Sequence, residues 1–128
     1  MTRRLTAWGP AAAWAGVLFF LSSIPGKDHP PYLFHGEDKV AHLVLYAVLG
    51  VALAWGRSRR HPSAPHPATL WGVGFLYGVS DELHQAFTPG RDVSLGDLAA
   101  DAVGVALGYW IFTLLFVPRA LRADAPPS

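Results

Sequence analysis

Ser80-Asp81-Glu82-Leu83-His84-Gln85-Ala86-Phe87-Thr88-Pro89-Gly90-Arg91-Asp92-Val93-Ser94-Leu95-Gly96-Asp97-Leu98-Ala99-Ala100-Asp101 is the most polar segment of the chain. Apolar runs bracket it, Trp71 to Val79 before and Ala102 to Val117 after. Its ionisable groups are Asp81, Glu82, His84, Arg91, Asp92, Asp97 and Asp101. So many charges at the mouth of two oily helices point to an outward-facing polar site at one end of a small membrane bundle.

The composition agrees. Only 15% of the 128 residues are charged and 52% are hydrophobic, whereas a soluble domain averages about 25% charged. The length fits one domain. Mean hydropathy is only +0.28 because very polar loops dilute the apolar runs. The chain has no cysteine, which excludes a disulfide framework, a thiolate metal site and a thiol nucleophile. Net charge is +1, and no basic stripe interleaves with aromatics, so nucleic-acid binding is set aside.

Working outward, the pattern predicts an all-α, four-helix transmembrane bundle with spans at about 5–24, 38–55, 68–87 and 95–117. Twenty helical residues cover roughly 30 Å, the thickness of a hydrocarbon core. Pro10 falls in the first turns of helix one, where a missing amide donor costs little. The rival reading of that helix is a cleaved signal peptide with Arg3 and Arg4 as its basic region; no small-x-small cleavage site follows Ile24. Pro25 to Glu37 reads as a loop, with Asp38 capping helix two. Gly56 to Pro67 reads as a second loop. Thr88-Pro89-Gly90 reads as a turn. Ser94 caps helix four, with Asp97 completing a capping-box variant. Pro118 stops that helix, and Ala120 to Ser128 is a polar tail.

Charge sets the expected orientation. Arg3, Arg4, Arg57, Arg59, Arg60, Arg119 and Arg122 fall on one side; only Lys27, Lys39 and Arg91 fall on the other. The excess of basic residues on cytoplasmic loops predicts both termini in the cytoplasm. Trp8, Trp55 and Trp71 fall at the same inner interface. The acids mirror this, with Asp124 alone placed inside.

Depth singles out the candidate site. His42, Asp81 and Asp101 lie roughly 6 to 9 Å below their helix ends at 1.5 Å per residue. A carboxylate facing lipid at that depth is costly, so these groups are expected to face inward and meet. The spacings put Asp38, His42 and Tyr46 on one face, Tyr77, Asp81 and His84 on another, and Asp97 and Asp101 on a third. Gly104 and Gly108 continue the last face as a small-xxx-small pair, and Gly74 and Gly78 form one in helix three.

The candidates for catalysis are Asp81, His84, Asp101 and His42. Two close carboxylates compete to ionise, and a histidine beside them serves as base or relay. The candidates for ligand binding are Asp38, Lys39, Glu82, Gln85, Arg91, Ser94 and Asp97, with Lys39 and Arg91 at the rim for an anionic group. Simpler readings stand beside these. Asp38 and Lys39 form a solvated helix start, Ser94 and Asp97 form a cap, and His42 is a buried side chain bonded to a neighbour. Asp81 and Asp101 remain as a functional pair or a polar lock between helices. Asp81 and His84 at i, i+3 look like half of a bundle metal site, but neither a metal nor a cofactor is expected. Phosphate loop, zincin and nucleophile-elbow patterns are absent.

These residues resemble the VanZ-like membrane proteins. The resemblance rests on Ser22-Ser23-x-Pro25, on Asp38-Lys39-x-x-His42-x-x-x-Tyr46-x-x-Leu49-Gly50, and on Tyr77-Gly78-x-x-Asp81-Glu82-x-His84-Gln85-x-Phe87-x-Pro89-Gly90-Arg91 followed by Ser94-x-x-Asp97-x-x-x-Asp101-x-x-Gly104. It implies a small bacterial multi-pass protein of the cell envelope, in a family whose founder is associated with teicoplanin resistance. It names no reaction. The expected function is therefore a non-enzymatic site that binds a lipid-linked or cell-wall component and lowers glycopeptide susceptibility. The alternative is a membrane enzyme using Asp81, His84 and Asp101 on a lipid head group. Membrane lipids, such a precursor and a second copy of the chain are the expected partners.

Overall fold

A computed structural model describes residues 2–122. Among them the chain forms four long helices, α1 (Thr2–Ser22), α2 (Glu37–Arg60), α3 (Pro67–Ala86) and α4 (Leu95–Phe116), a 3-10 turn at Gly26–Asp28 and a short helix α5 (Arg119–Arg122). No strand occurs among the described residues. The helices run up and down. One end of the bundle gathers the end of α1, the start of α2, the end of α3 and the start of α4, and it carries the acidic residues. The other end carries every arginine of the described residues except Arg91. The tail from residue 123, with Asp124, lies outside the described residues.

Helices α2 and α4 pack backbone to backbone. A Cβ on Gly108 would lie 1.8 Å from the Ala47 carbonyl oxygen, and one on Gly104 would lie 2.5 Å from that of Leu43. Gly50 answers from α2: its Cβ would lie 2.2 Å from the Val105 carbonyl. The small-xxx-small pair in α4 thus admits a neighbour as its spacing predicts. Around this pair, α1 lies on α2 through the Trp14 indole, which donates to the Leu45 carbonyl at 2.8 Å. Gly56 leaves room for the Trp8 ring. Helix α3 lies on α4, with Gly74 against Val105 and Gly78 against Asp101. The Tyr77 hydroxyl donates to the Ala15 carbonyl and ties α3 to α1.

The outside is oily, and the inside combines an apolar core around Leu18, Leu49, Leu53, Leu70 and Val105 with a buried polar cluster. Val40, Val44, Val48, Leu76, Leu83, Leu107, Ile111 and Leu114 are exposed, while Asp81, Glu82, Gln85, Asp97 and Asp101 are buried. A large exposed apolar surface marks a membrane or partner contact. By length and composition α1, α2 and α4 can each cross a membrane. Helix α3 lacks an apolar run of that length, because Asp81, Glu82, His84 and Gln85 occupy its last turns.

Several boundaries differ from the expectation. Helix α1 starts at Thr2, so Pro10 lies inside it rather than in its first turns. Helix α2 starts at Glu37 behind Gly36, whose φ of 86° only glycine adopts freely, and Asp38 sits in the first turn instead of capping. It then runs through Gly56 to Arg60, where a loop is expected. Basic side chains suit the negative end of a helix dipole, Arg57 bonds the Pro65 carbonyl, and Arg59 covers the Trp55 ring at 4.2 Å. His66 caps α3 by accepting from the Ala68 amide at 3.2 Å. After Pro118 the chain forms α5 at Arg119–Arg122.

Gly108→Ala is therefore expected to destabilise the bundle by about 1 to 3 kcal/mol through overpacking, despite alanine's better helix propensity. Gly72, whose Cβ would meet nothing within 4 Å, is the control. Gly72→Ala is expected to be neutral or to stabilise by up to about 1 kcal/mol. Thermal unfolding in detergent measures both.

Candidate functional site

Helix register delivers the central contact. Asp101 lies one turn before Gly104 on the face that meets α2, and His42 lies beside Leu43. The His42 Nδ1 is 2.8 Å from Asp101 Oδ1. Asp101 is wholly buried at 0% exposure. Its second oxygen, Oδ2, packs on Gly78 and has no hydrogen-bond partner. The far side of the imidazole faces Asp97, with Nε2 to Oδ2 at 3.8 Å.

Lys39 closes the rim. Its Nζ lies 3.2 Å from Asp38 Oδ2 and 3.4 Å from Asp97 Oδ1. Its stem crosses Gly96, where a Cβ would meet Cε at 2.7 Å. Ser94 caps α4, with its Oγ accepting from the Asp97 amide at 3.3 Å. The capping-box expectation is half correct. The return bond to the Ser94 amide comes from Glu82 Oε2 of α3, at 3.0 Å, and Asp97 is left to face Lys39 and His42. Glu82 is thereby buried, and its Oε1 has no partner. The Tyr46 hydroxyl donates to Asp81 Oδ2 at 3.0 Å, fully buried. Ligating atoms of His42, Glu82 and Asp101 lie within 4.8 Å of one another.

A cavity opens onto this cluster. Its deeper part, about 190 Å³, has Leu18, Leu21, Ala41 and Leu45 on its walls and His42, Tyr46, Asp81 and Gln85 among its polar groups. A wider part, about 430 Å³, continues to the loop end past His29, Pro31, Asp92, Ser94 and Asp97. Tyr32, Asp38, His42, Gln85 and Arg91 border both parts.

Two expected residues have other partners. His84 faces α1, with its Nε2 2.9 Å from Ser23 Oγ and its ring stacked on Phe19. Arg91 is half-buried and its NH1 donates to the Leu21 and Ile24 carbonyls at 3.4 and 3.3 Å and meets His29 Nε2 at 2.7 Å. It therefore fastens the end of α1. The Gly26 amide adds a bond to the Pro89 carbonyl at 2.9 Å. A Cβ on Gly26 would lie 1.9 Å from the Gly90 carbonyl oxygen, so the two loops touch through backbone. The other expected residues gather as described. Sequence reading did not single out His29 or Tyr32, because a loop residue carries no periodicity to place it.

His42→Ala leaves Asp101 a buried carboxylate without its partner, a change that costs about 3 to 5 kcal/mol in comparable pairs. The double variant His42→Ala/Asp101→Asn is expected to lose clearly less than the sum of the single changes. Unfolding midpoints of the four proteins in one detergent give the coupling.

The family comparison matches this arrangement. A family model described as VanZ/LLP1 covers residues 8–116, which take in most of α1 and all of α2 to α4. Searches of curated proteins and of solved structures found no match. With the match reaching all four long helices and the buried cluster between them, the chain belongs to the VanZ/LLP1 family.

Proposed function

We propose that this VanZ-type protein spans the bacterial cell membrane four times, with both termini in the cytoplasm. On this reading its acidic end, at the outer face, binds the polar head of a lipid-linked or cell-wall component. By occupying or masking that component it lowers susceptibility to glycopeptides of the teicoplanin kind. The observation that carries the reading is the cavity. Leu18, Leu21, Ala41 and Leu45 line it with aliphatic groups, and His42, Tyr46, Asp81 and Gln85 supply the polar ones. An amphiphile with a polar head and an apolar chain matches both. The fourth span, α3, follows from the same asymmetry, because its acids are buried and Val73, Leu76 and Leu83 are exposed.

A second reading is a membrane enzyme acting on a lipid head group. What favours it is the His42–Asp101 pair, since a carboxylate that orients an imidazole prepares a general base. Asp81, hydrogen-bonded to Tyr46, then stands as a second acid. His84 takes no part in this version, because it faces Ser23.

The two readings and the topology separate in experiment. The chain lacks cysteine, so Asp92→Cys is expected to react with an impermeant thiol reagent in intact cells and Arg60→Cys only after permeabilisation. The reverse pattern would sink the proposed orientation. Lys39→Ala and Gln85→Ala are expected to lower co-purified amphiphile about tenfold, as loss of a hydrogen bond to a charged group at about 1.5 kcal/mol implies. Arg59→Ala is expected to leave it unchanged. Drug susceptibility should follow retention. If Asp81→Asn abolishes the phenotype while retention stays intact, the enzyme reading replaces the binding one.

A further inference from the structure

We propose that His42, Glu82 and Asp101 bind one divalent metal ion. No metal is expected from the sequence, because the three residues sit on three helices with no ligand spacing between them. The fold brings them together. One ligating atom from each lies within 4.8 Å of the others. Donors around a tetrahedral ion at bonds of about 2.0 to 2.2 Å are about 3.3 to 3.6 Å apart, so the most separated side chains need to close by about an ångström.

Two independent features point to a cation rather than to packing alone. The first is the pair of buried carboxylate oxygens without partners, Asp101 Oδ2 and Glu82 Oε1, on residues only 0% and 4% exposed. Leaving such oxygens unpaired away from water is costly. The same two residues belong to the convergent set, so an ion held there meets a carboxylate from each. The second is charge. Asp81 and Asp97 add two more acids beside the Glu82 and Asp101 of the cluster, and Lys39 is the neighbouring lysine. A dication offsets the excess.

The donor geometry is consistent. His42 Nδ1 and Asp101 Oδ1 are 2.8 Å apart, close to the roughly 3 Å between adjacent donors at bonds of about 2.1 Å. Asp97 then stands beyond the ring at Nε2, where an outer carboxylate fixes the imidazole. One imidazole with two carboxylates, and no sulfur, suits zinc or manganese rather than a soft ion. Asp81 is outside the set, held by Tyr46. The inference rests on the cluster being the functional centre. A divalent ion there would reconcile an acidic centre with a phosphate-bearing head group.

The test uses the full chain in detergent, stripped with a chelator and dialysed against zinc or manganese. The expected result is about one ion per chain by elemental analysis and a melting temperature raised by several degrees. Glu82→Gln keeps an oxygen for the Ser94 amide, so it is expected to fold. It and Asp101→Asn are expected to bind at least about tenfold more weakly, and His84→Ala to bind as the unaltered protein does. Cobalt should give visible absorption bands in the unaltered protein that Glu82→Gln loses. Substoichiometric uptake by the unaltered protein, or equal uptake by Glu82→Gln, overturns the proposal. Metal uptake and amphiphile retention are read separately on the same protein, so failure of uptake leaves head-group binding standing, and failure of retention leaves the metal site standing.

Discussion

Backbone contact between α2 and α4 is the constraint from which the rest follows. Gly104 and Gly108 place α4 directly on the Leu43 and Ala47 backbone, and Gly50 receives Val105 in return. This approach fixes the register. One turn nearer the acidic end, it sets Asp101 against His42. A side chain larger than hydrogen at the glycines would push the helices apart and lengthen that bond. The same closeness leaves Asp101 no route to water. Its chemistry therefore depends on what α2 and α3 offer, and Gly78 lets α3 come near enough to cover it.

The polar interior is stable only because its groups largely satisfy one another. In a bilayer core no water stands by to replace a missing partner. Tyr46 serves Asp81, the Ser94 amide serves Glu82, and Lys39 serves Asp38 and Asp97. These bonds link all of α2, α3 and α4. Helix α1 joins through Trp14, through Ser23 to His84, and through the carbonyls held by Arg91. The residual is small and local. Three buried side-chain oxygens lack a partner among the described residues: Ser22 Oγ, Glu82 Oε1 and Asp101 Oδ2.

Much of this was legible because membrane depth penalises misplaced charge. The four helices, the acidic and basic ends, and the inward set of His42, Asp81 and Asp101 all follow from apolar run lengths and from spacing. The close approach at Gly104 and Gly108 follows from residue size. What spacing could not supply was the partner on another helix. His84 shares a face with Asp81, yet that face also meets α1, and Ser23 takes the imidazole. Asp97 looks like half of a capping box, but Glu82 reaches the amide first. Arg91 reads as a rim cation, yet the open carbonyls at the end of α1 lie within its reach. The α2 boundary was misread for a local reason: Gly56 and the arginines look like a loop until Trp8 and the helix dipole are set against them.

Charge now limits what can enter the site. With Arg91 engaged by α1 and His29, the cationic group facing the cluster from the rim is Lys39, and it already meets two carboxylates. A bare phosphate approaching from the loop end meets Asp38, Asp92 and Asp97, and the Arg91 beside them is already bonded to His29 and to the carbonyls of Leu21 and Ile24. Like charges at a few ångströms in a poorly hydrated site repel by several kcal/mol. Neutral sugar or amide groups face no such barrier, since their donors suit carboxylate oxygens. Ligand chemistry and metal occupancy are thus linked. An acidic site without an ion selects neutral or cationic heads, and the same site with a dication selects anionic ones. On the proposed reading, an ion bound by His42, Glu82 and Asp101 would set which class of amphiphile the cavity accepts.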